Sequence, residues 1–521
     1  WTSSVDVRPY WGSPIKTTDY NGRVSEIVYD PLGRVAKVWN LGWPRANHEN
    51  TPSVEYTYYY SPTRDAYPYT RTRTLNAEGG YLTSYQIFDA FLRPRQVQAD
   101  GVGGDRVVTD TLYDKAGRAE RTYAPHEEPG SPTGSLWVEP AWSVPAVVET
   151  VYDDASRPIA EIFLAGDNVT NLVEKWRTTT TYAGDSTKVT PPSGATPTTT
   201  VTDAQNRTIE LRQHTTAQGV DGPYQATRYT YNRKGQLVAV ADADGNEWTY
   251  TYDVRGRRIT ASDPDKGVTS SEYNDYGDLV KTTDARGEVL AYSYDRLGRK
   301  TGLYDDTVSA ATKRAEWKSD RLYDGQVSRG QLTETIRYEP PGSTNAYRIR
   351  VTDINSRYQP LGVDYVIPSV EGSGISGIWA YEYTYSDYTG APTSMTYPAV
   401  GSLATETVTT TYDHASGLPA GLVSNNAGSY VTAQQYTRYG EPTITTREIR
   451  SGVYVDDVTT YDPTTRRVTS TAIRSETGGA TVSARHYTYD PAGNITSIAD
   501  TPDIGSSDTQ CFRHDSLRRL V

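Results

Sequence analysis

Apolar and polar positions alternate with a period of two through most of this chain, which is the spacing of a half-buried strand rather than a helix. In "YTYDVRGRRITASDPDKG" (Tyr250–Gly267), Tyr250 and Tyr252 lie two apart and so share one face of an extended run. Ile259 and Ala261 alternate with polar neighbours in the run that follows. Between the two runs, Asp253 begins a turn in which its carboxylate can accept backbone N–H groups. Gly256 stands three residues on, where a positive φ is cheap. The opposite turn, "DPDKG" (Asp263–Gly267), has analogues in "DADGN" (Asp242–Asn246) and "DARG" (Asp284–Gly287). One unit is therefore two strands and two turns of an antiparallel meander. Thr, Val and Tyr suit its strands, and no segment has a convincing amphipathic helical period.

The unit recurs. Tyr231, Tyr252, Tyr273 and Tyr294 are spaced 21 residues apart, and insertions stretch the step elsewhere. The clearest copies put Tyr29, Asp30 and Gly33, then Tyr113, Asp114 and Gly117, at the same turn positions. Tyr252, Asp253 and Gly256, Tyr294, Asp295 and Gly298, and Tyr489, Asp490 and Gly493 repeat the pattern. Weaker copies are read at Phe88–Arg93, Thr202–Arg207, Thr352–Arg357 and His514–Arg519. A repeat this regular sets the architecture.

Length then constrains shape. At roughly 10 residues per strand and turn, 521 residues supply on the order of 40–50 strands, a ribbon about 200 Å long at about 4.8 Å per strand. Open sheets rarely exceed about 10 strands, so twist and edge avoidance predict that the ribbon winds on itself. Composition fits a thin wall: 36% of residues are hydrophobic, with 43 Tyr against 4 Phe and 1 Met. Tyr gives apolar area with a hydroxyl that tolerates water. Pro/Gly-rich stretches near 126–147, 190–200, 338–347 and 366–379 read as loop excursions within a single segment spanning 1–521. The segment is expected to be a fragment of something longer.

A net charge of −12 with scattered Lys and Arg excludes a nucleic-acid footprint. No apolar run reaches the roughly 20 residues of a membrane span. The single cysteine, Cys511, excludes an internal disulfide.

The Y-D-x-x-G-R turn, the strand after it and the D/G turn beyond together resemble the RHS, or YD, repeat family, over nearly the whole chain. That family includes bacterial RHS polymorphic toxins, wall-associated proteins, the BC components of toxin complexes, and teneurins. The resemblance implies an all-β ribbon spiralling into a hollow shell. In bacterial members such a shell holds a C-terminal toxin domain, released by autoproteolysis. No core-ending cleavage motif is recognisable here, so no cleavage aspartate is carried over.

The bland reading of each candidate site prevails. An Asp printed at least eight times in equivalent surroundings is architecture, because a catalytic carboxylate needs one special environment. Arg34, Arg118, Arg257 and Arg299 are expected to pair with Asp of adjacent turns. Asp242, Asp244 and Asn246 begin like a calcium loop but lack the rest of that pattern. The six histidines, His126 and His514 among them, show no ligand spacing. Cys511 is expected to pack in an ordinary repeat strand. Trp137 and Trp142 either pack the insertion onto the sheet or contact a glycan or cargo. The chain thus reads as a non-enzymatic, secreted or cell-surface shell without cofactor or metal. Its partner would be its own C-terminal toxin domain or another enclosed polypeptide; the alternative is a surface module binding a glycan or protein.

Overall fold

The computed structural model describes residues 1–60, 66–216, 218–475, 479–503 and 505–521. Among them, 39 strands form a single sheet, from Ser4–Val7 to Asp508–Cys511. Each strand pairs antiparallel with its predecessor and successor in the chain, as in Thr208–His214, Tyr224–Tyr231, Leu237–Ala241 and Glu247–Tyr252. The helical content is three single 3-10 turns. The loops between strands occupy 129–146, 191–197, 339–345 and 368–376.

The two edges of the ribbon differ. At the Tyr-Asp edge Thr251 faces Thr260 but Tyr252 faces Arg258, leaving Ile259 as an extra residue on the return strand. Val238, Val280 and Thr301 are extra in the same way beside Tyr231, Tyr273 and Tyr294. The other edge keeps simple register in some hairpins, with Ala241 opposite Glu247 and Asp263 opposite Gly267, and shifts in others, as at Leu303/Tyr304 and Ile473/Arg474. A bulge bends its strand and adds twist. Repeated in successive hairpins at the Tyr-Asp edge, it adds curvature of one sense there.

Apolar burial is sparse, as a single layer requires. Two small clusters stand out: Trp39, Trp43 and Leu75, and Tyr123, Val144 and Val147. Cys511 corrects the sequence reading. It is exposed, because its strand is the last of the described sheet and packs against a neighbour on one side only.

Candidate functional site

The repeated turn is the chemical unit of this protein. Asp253 N–H donates to the Arg257 carbonyl (2.9 Å), and Gly256 N–H donates to the Asp253 carbonyl (3.1 Å). This is a three-residue hairpin loop whose last position is left-handed, with Gly256 at φ +86°. One carboxylate oxygen of Asp253 accepts the backbone N–H groups of Arg255 and Arg257, both at 2.9 Å. The other accepts Nε of Arg257 at 2.6 Å. Asp30, Asp114 and Asp295 make the same bonds, with Gly33, Gly117 and Gly298 at positive φ. Asp490 is bonded likewise by Asn494 N–H and its amide, with Gly493 left-handed.

These carboxylates are acceptors tied into the backbone. The Arg257 backbone bond, reinforced by its guanidinium, holds the Asp253 carboxyl below the usual aspartate range, and the Arg118 backbone bond does so for Asp114. Loss of hydration opposes this at Asp30 and Asp295 but is outweighed by bonds from Arg34 and Arg299. Asp242 is committed in the same fashion to Asp244 N–H, Asn246 N–H and the Asn246 amide. Among the described residues no group of three or more metal-ligating side chains is placed to hold an ion.

Two readings of the turns need correction. The arginines pair with the aspartate of their own turn, four residues back, and not with that of the adjacent one. The fork geometry explains this: Nε and one terminal nitrogen close on the local carboxylate, while the other terminal nitrogen is free to reach onward. In Arg257 it donates to the Asn274 carbonyl of the next turn (3.0 Å). Only Arg299 among these four adds a second carboxylate, Asp320. The copy at Thr352–Arg357 is out of frame. Its turn-forming residue is Asn355, which accepts Arg357 and Gln359 N–H, with Tyr358 left-handed at φ +66°. Asp353 lies in the preceding strand.

Tyr completes the unit. The hydroxyl of Tyr252 donates to the Leu237 carbonyl at 2.7 Å, where the preceding return strand begins. Tyr29, Tyr113, Tyr294 and Tyr489 bond Pro14, Pro94, Leu279 and Val468 in the same way, between 2.7 and 2.9 Å. The turn arginine of one repeat lies over the tyrosine of the next: Arg257 over Tyr273 at 4.7 Å, Arg207 over Tyr231 at 4.7 Å and Arg93 over Tyr113 at 4.1 Å. Successive repeats are thereby tied by a hydroxyl bond, and at these three junctions by a cation–π contact as well.

The ribbon's edges also meet each other. Asn21 exchanges two 2.9 Å bonds with the backbone of Arg329. The Asn76 amide donates to the His414 carbonyl (2.8 Å), and Ser386 donates to the Ala77 carbonyl (2.5 Å). Arg438 donates to the Val102 carbonyl (2.7 Å) and to Glu127 (2.9 Å). The Asn494 amide donates to the Gly194 carbonyl at 2.8 Å. In every case a hairpin end opposite the Tyr-Asp edge, early in the chain, meets a Tyr-Asp-edge turn later on. The separations run from 300 to 339 residues, so the ribbon completes one circuit in that length and stacks on itself. Gly194, at φ +95°, sits so close to Asp490 that a Cβ would fall 2.0 Å from its carboxylate.

Trp137 and Trp142 are half-buried in the 129–146 loop. Trp137 exchanges backbone bonds with the buried amide of Gln96 and lies under Arg106. Sequence reasoning missed Gln96, Gln98, Glu128 and Glu139 around it. The signal available was their i, i+2 spacing at Gln96/Gln98 and His126/Glu128, which places polar side chains together on one strand face.

The family model described as RHS Repeat matches residues 231–268 and 273–307. The chain carries RHS repeats. Among solved structures, TcdB2-TccC3 superposes with a TM-score of 0.79 at 18% identity, over 100% of this chain and 29% of that one. TcdB2-TccC3 without its hypervariable C-terminal region gives 0.77 at 17%, and a Photorhabdus luminescens Tc holotoxin pore gives 0.77 at 17% over 99% of this chain. This RHS-repeat chain thus spans about three-tenths of the length of those structures. At such identities the likeness establishes the fold alone, a long antiparallel β-ribbon. No curated protein matches. Among the described residues no helix is long and apolar enough to cross a membrane.

Proposed function

We propose that this RHS-repeat chain is a wall segment of a secreted bacterial toxin-complex-type container, whose task is to enclose and shield a polypeptide rather than to catalyse. The observation that carries this reading is the edge-to-edge stacking at a spacing of 300 to 339 residues. One circuit holds about 24 strands, hence a circumference near 115 Å and a width of roughly 37 Å before strand tilt widens it. Allowing about 5 Å of side chain inward from each wall leaves on the order of 25 Å of interior. That exceeds the roughly 10–12 Å diameter of a helix with its side chains, so a chain threaded or loosely packed inside would fit. The repeated turn carboxylates, bonded into backbone, support a role in construction. The likeness to TcdB2-TccC3 supports placement in an assembly that also holds an effector polypeptide.

The test is protease protection of the full-length protein purified with the polypeptide it is encoded with. Enclosure predicts that the partner resists cleavage by a protease too large to enter, and becomes sensitive when Arg438→Ala and Gly194→Val together loosen the stacked edges. A partner cleaved in the intact assembly as fast as when free would remove the reading.

A further inference from the structure

A second feature has nothing to do with the repeats. The 129–146 loop lies on the sheet as an extended segment read by two buried glutamines. Gln98 accepts Thr133 N–H (2.9 Å) and donates to the Ser135 carbonyl (2.8 Å). Gln96 accepts Trp137 N–H (2.9 Å) and donates to the Trp137 carbonyl (2.6 Å). Arg106 donates to the Pro129 carbonyl and to Gln98. Beyond the 3-10 turn Ala141–Ser143, Val144 and Ala146 are buried and anchor the far end of the loop. Polar bonds hold most of the stretch 130–140, joined by the buried Pro132, by Gly134 against the Tyr69 ring and by Trp137 under Arg106.

Two titratable side chains of strand Ala119–Glu128, His126 and Glu128, lie beneath it, and a third, Glu139, belongs to it. Glu139 accepts Nε1 of Trp137 (3.0 Å) and the hydroxyl of Ser143 (3.1 Å), which suits a charged carboxylate. Glu128, at the end of strand Ala119–Glu128, is only 12% exposed and lies against Glu139. His126 is 3% exposed; its Nδ1 lies 3.0 Å from the Ala124 carbonyl, so that nitrogen carries the proton. Its Nε2 is buried without a hydrogen-bond partner, 3.7 Å from Glu128. The other charges nearby are occupied. Arg106 is bound to neutral carbonyls and lies 4.5 Å from the Trp137 ring centre, and Asp105 accepts Gly130 N–H. Glu127 points to Arg438, and Asp110 pairs with Arg95.

We propose that residues 130–140 form a proton-controlled flap, seated while Glu128 and Glu139 share one proton and lifted when both carboxylates are charged. Burial, and next the charge of Glu139, push the Glu128 carboxyl up to about 7 from its usual 4.5. The seated state holds the proton more tightly than the lifted one. Its advantage is complete below the ordinary value, falls as pH rises between the two, and is gone above the raised one. Opening should rise about tenfold per pH unit across that interval and then level off.

Hydrogen–deuterium exchange of the 130–140 peptide between pH 4 and pH 9, corrected for intrinsic exchange, tests this. The wild type should show the tenfold-per-unit rise and the plateau. Glu128→Gln should stay closed across the range, and Glu139→Gln should move the rise to lower pH. A flat wild-type profile would overturn the proposal. So would an unchanged rise in Glu128→Gln, or an unshifted rise in Glu139→Gln should Glu128→Gln fail to fold.

Discussion

The hydroxyl of Tyr252 reaches back across one hairpin to the carbonyl of Leu237, 2.7 Å away. The same bond recurs at Tyr294 and Leu279, also at 2.7 Å, and at Tyr489 and Val468, at 2.8 Å. It is the reason the repeat uses Tyr where Phe would fill the same space. Removing the hydroxyl should leave ring packing intact while losing one half-buried bond. Tyr252→Phe should cost about 1 kcal/mol, read as faster amide exchange in strands Leu237–Ala241 and Glu247–Tyr252. Unchanged exchange there would mean the hydroxyl bond contributes nothing.

The left-handed turn position gives a pair of opposite predictions. Gly256 at φ +86° should not accept a β-branched residue, and Gly256→Val should destabilise by roughly 1–2 kcal/mol. Leu92 holds the equivalent position at φ +59° and is exposed, so Leu92→Gly should stabilise by about 0.5–1 kcal/mol. Thermal unfolding of the two variants measures both signs.

Acid sensitivity should follow the turn chemistry. The Asp253 carboxyl is held below its ordinary value of 3.8. The stability this contributes is fully present above that value and is lost as pH falls through the lower folded one. The turn at Asn232 is a neutral counterpart, with its oxygen accepting Lys234 and Gln236 N–H and its amide donating to Gln236. Exchange at residues 253–257 should therefore accelerate below about pH 3.8 relative to 232–236. Equal acceleration in both turns would contradict the assignment.

Much of this was legible in the sequence because the repeat is local. The Asp, the left-handed Gly and the returning strand lie within six residues, where side chain and backbone have few alternatives. The strand number and the need to wind followed from length. The arginine partner was misjudged because spacing alone does not say which way a long side chain folds back. The frame at Asn355 was hidden because Asn makes the Asp bonds two residues after the expected Asp353. Contacts such as Arg438 to Val102 depend on the exact circumference of the ribbon, and Glu128 meets Glu139 only through the path of an irregular loop. Neither leaves a periodic trace.

Stacking of the edges should be separable from the repeats. Arg438→Ala removes bonds to Val102 and Glu127 and the pairing with Asp105 without touching a strand pair. Amide exchange should increase at 101–105 and 127–130 and stay unchanged in strands Tyr224–Tyr231 to Lys300–Asp305. A rise throughout would show that edge contacts and strand pairing unfold together.

The ribbon closes on itself once per 300 to 339 residues. Cryo-electron microscopy of the full-length protein tests it most directly. The expected result is a hollow particle in whose wall Asn494 lies against Gly194 and Arg438 against Val102. An extended or solid particle, with those pairs far apart, would contradict it.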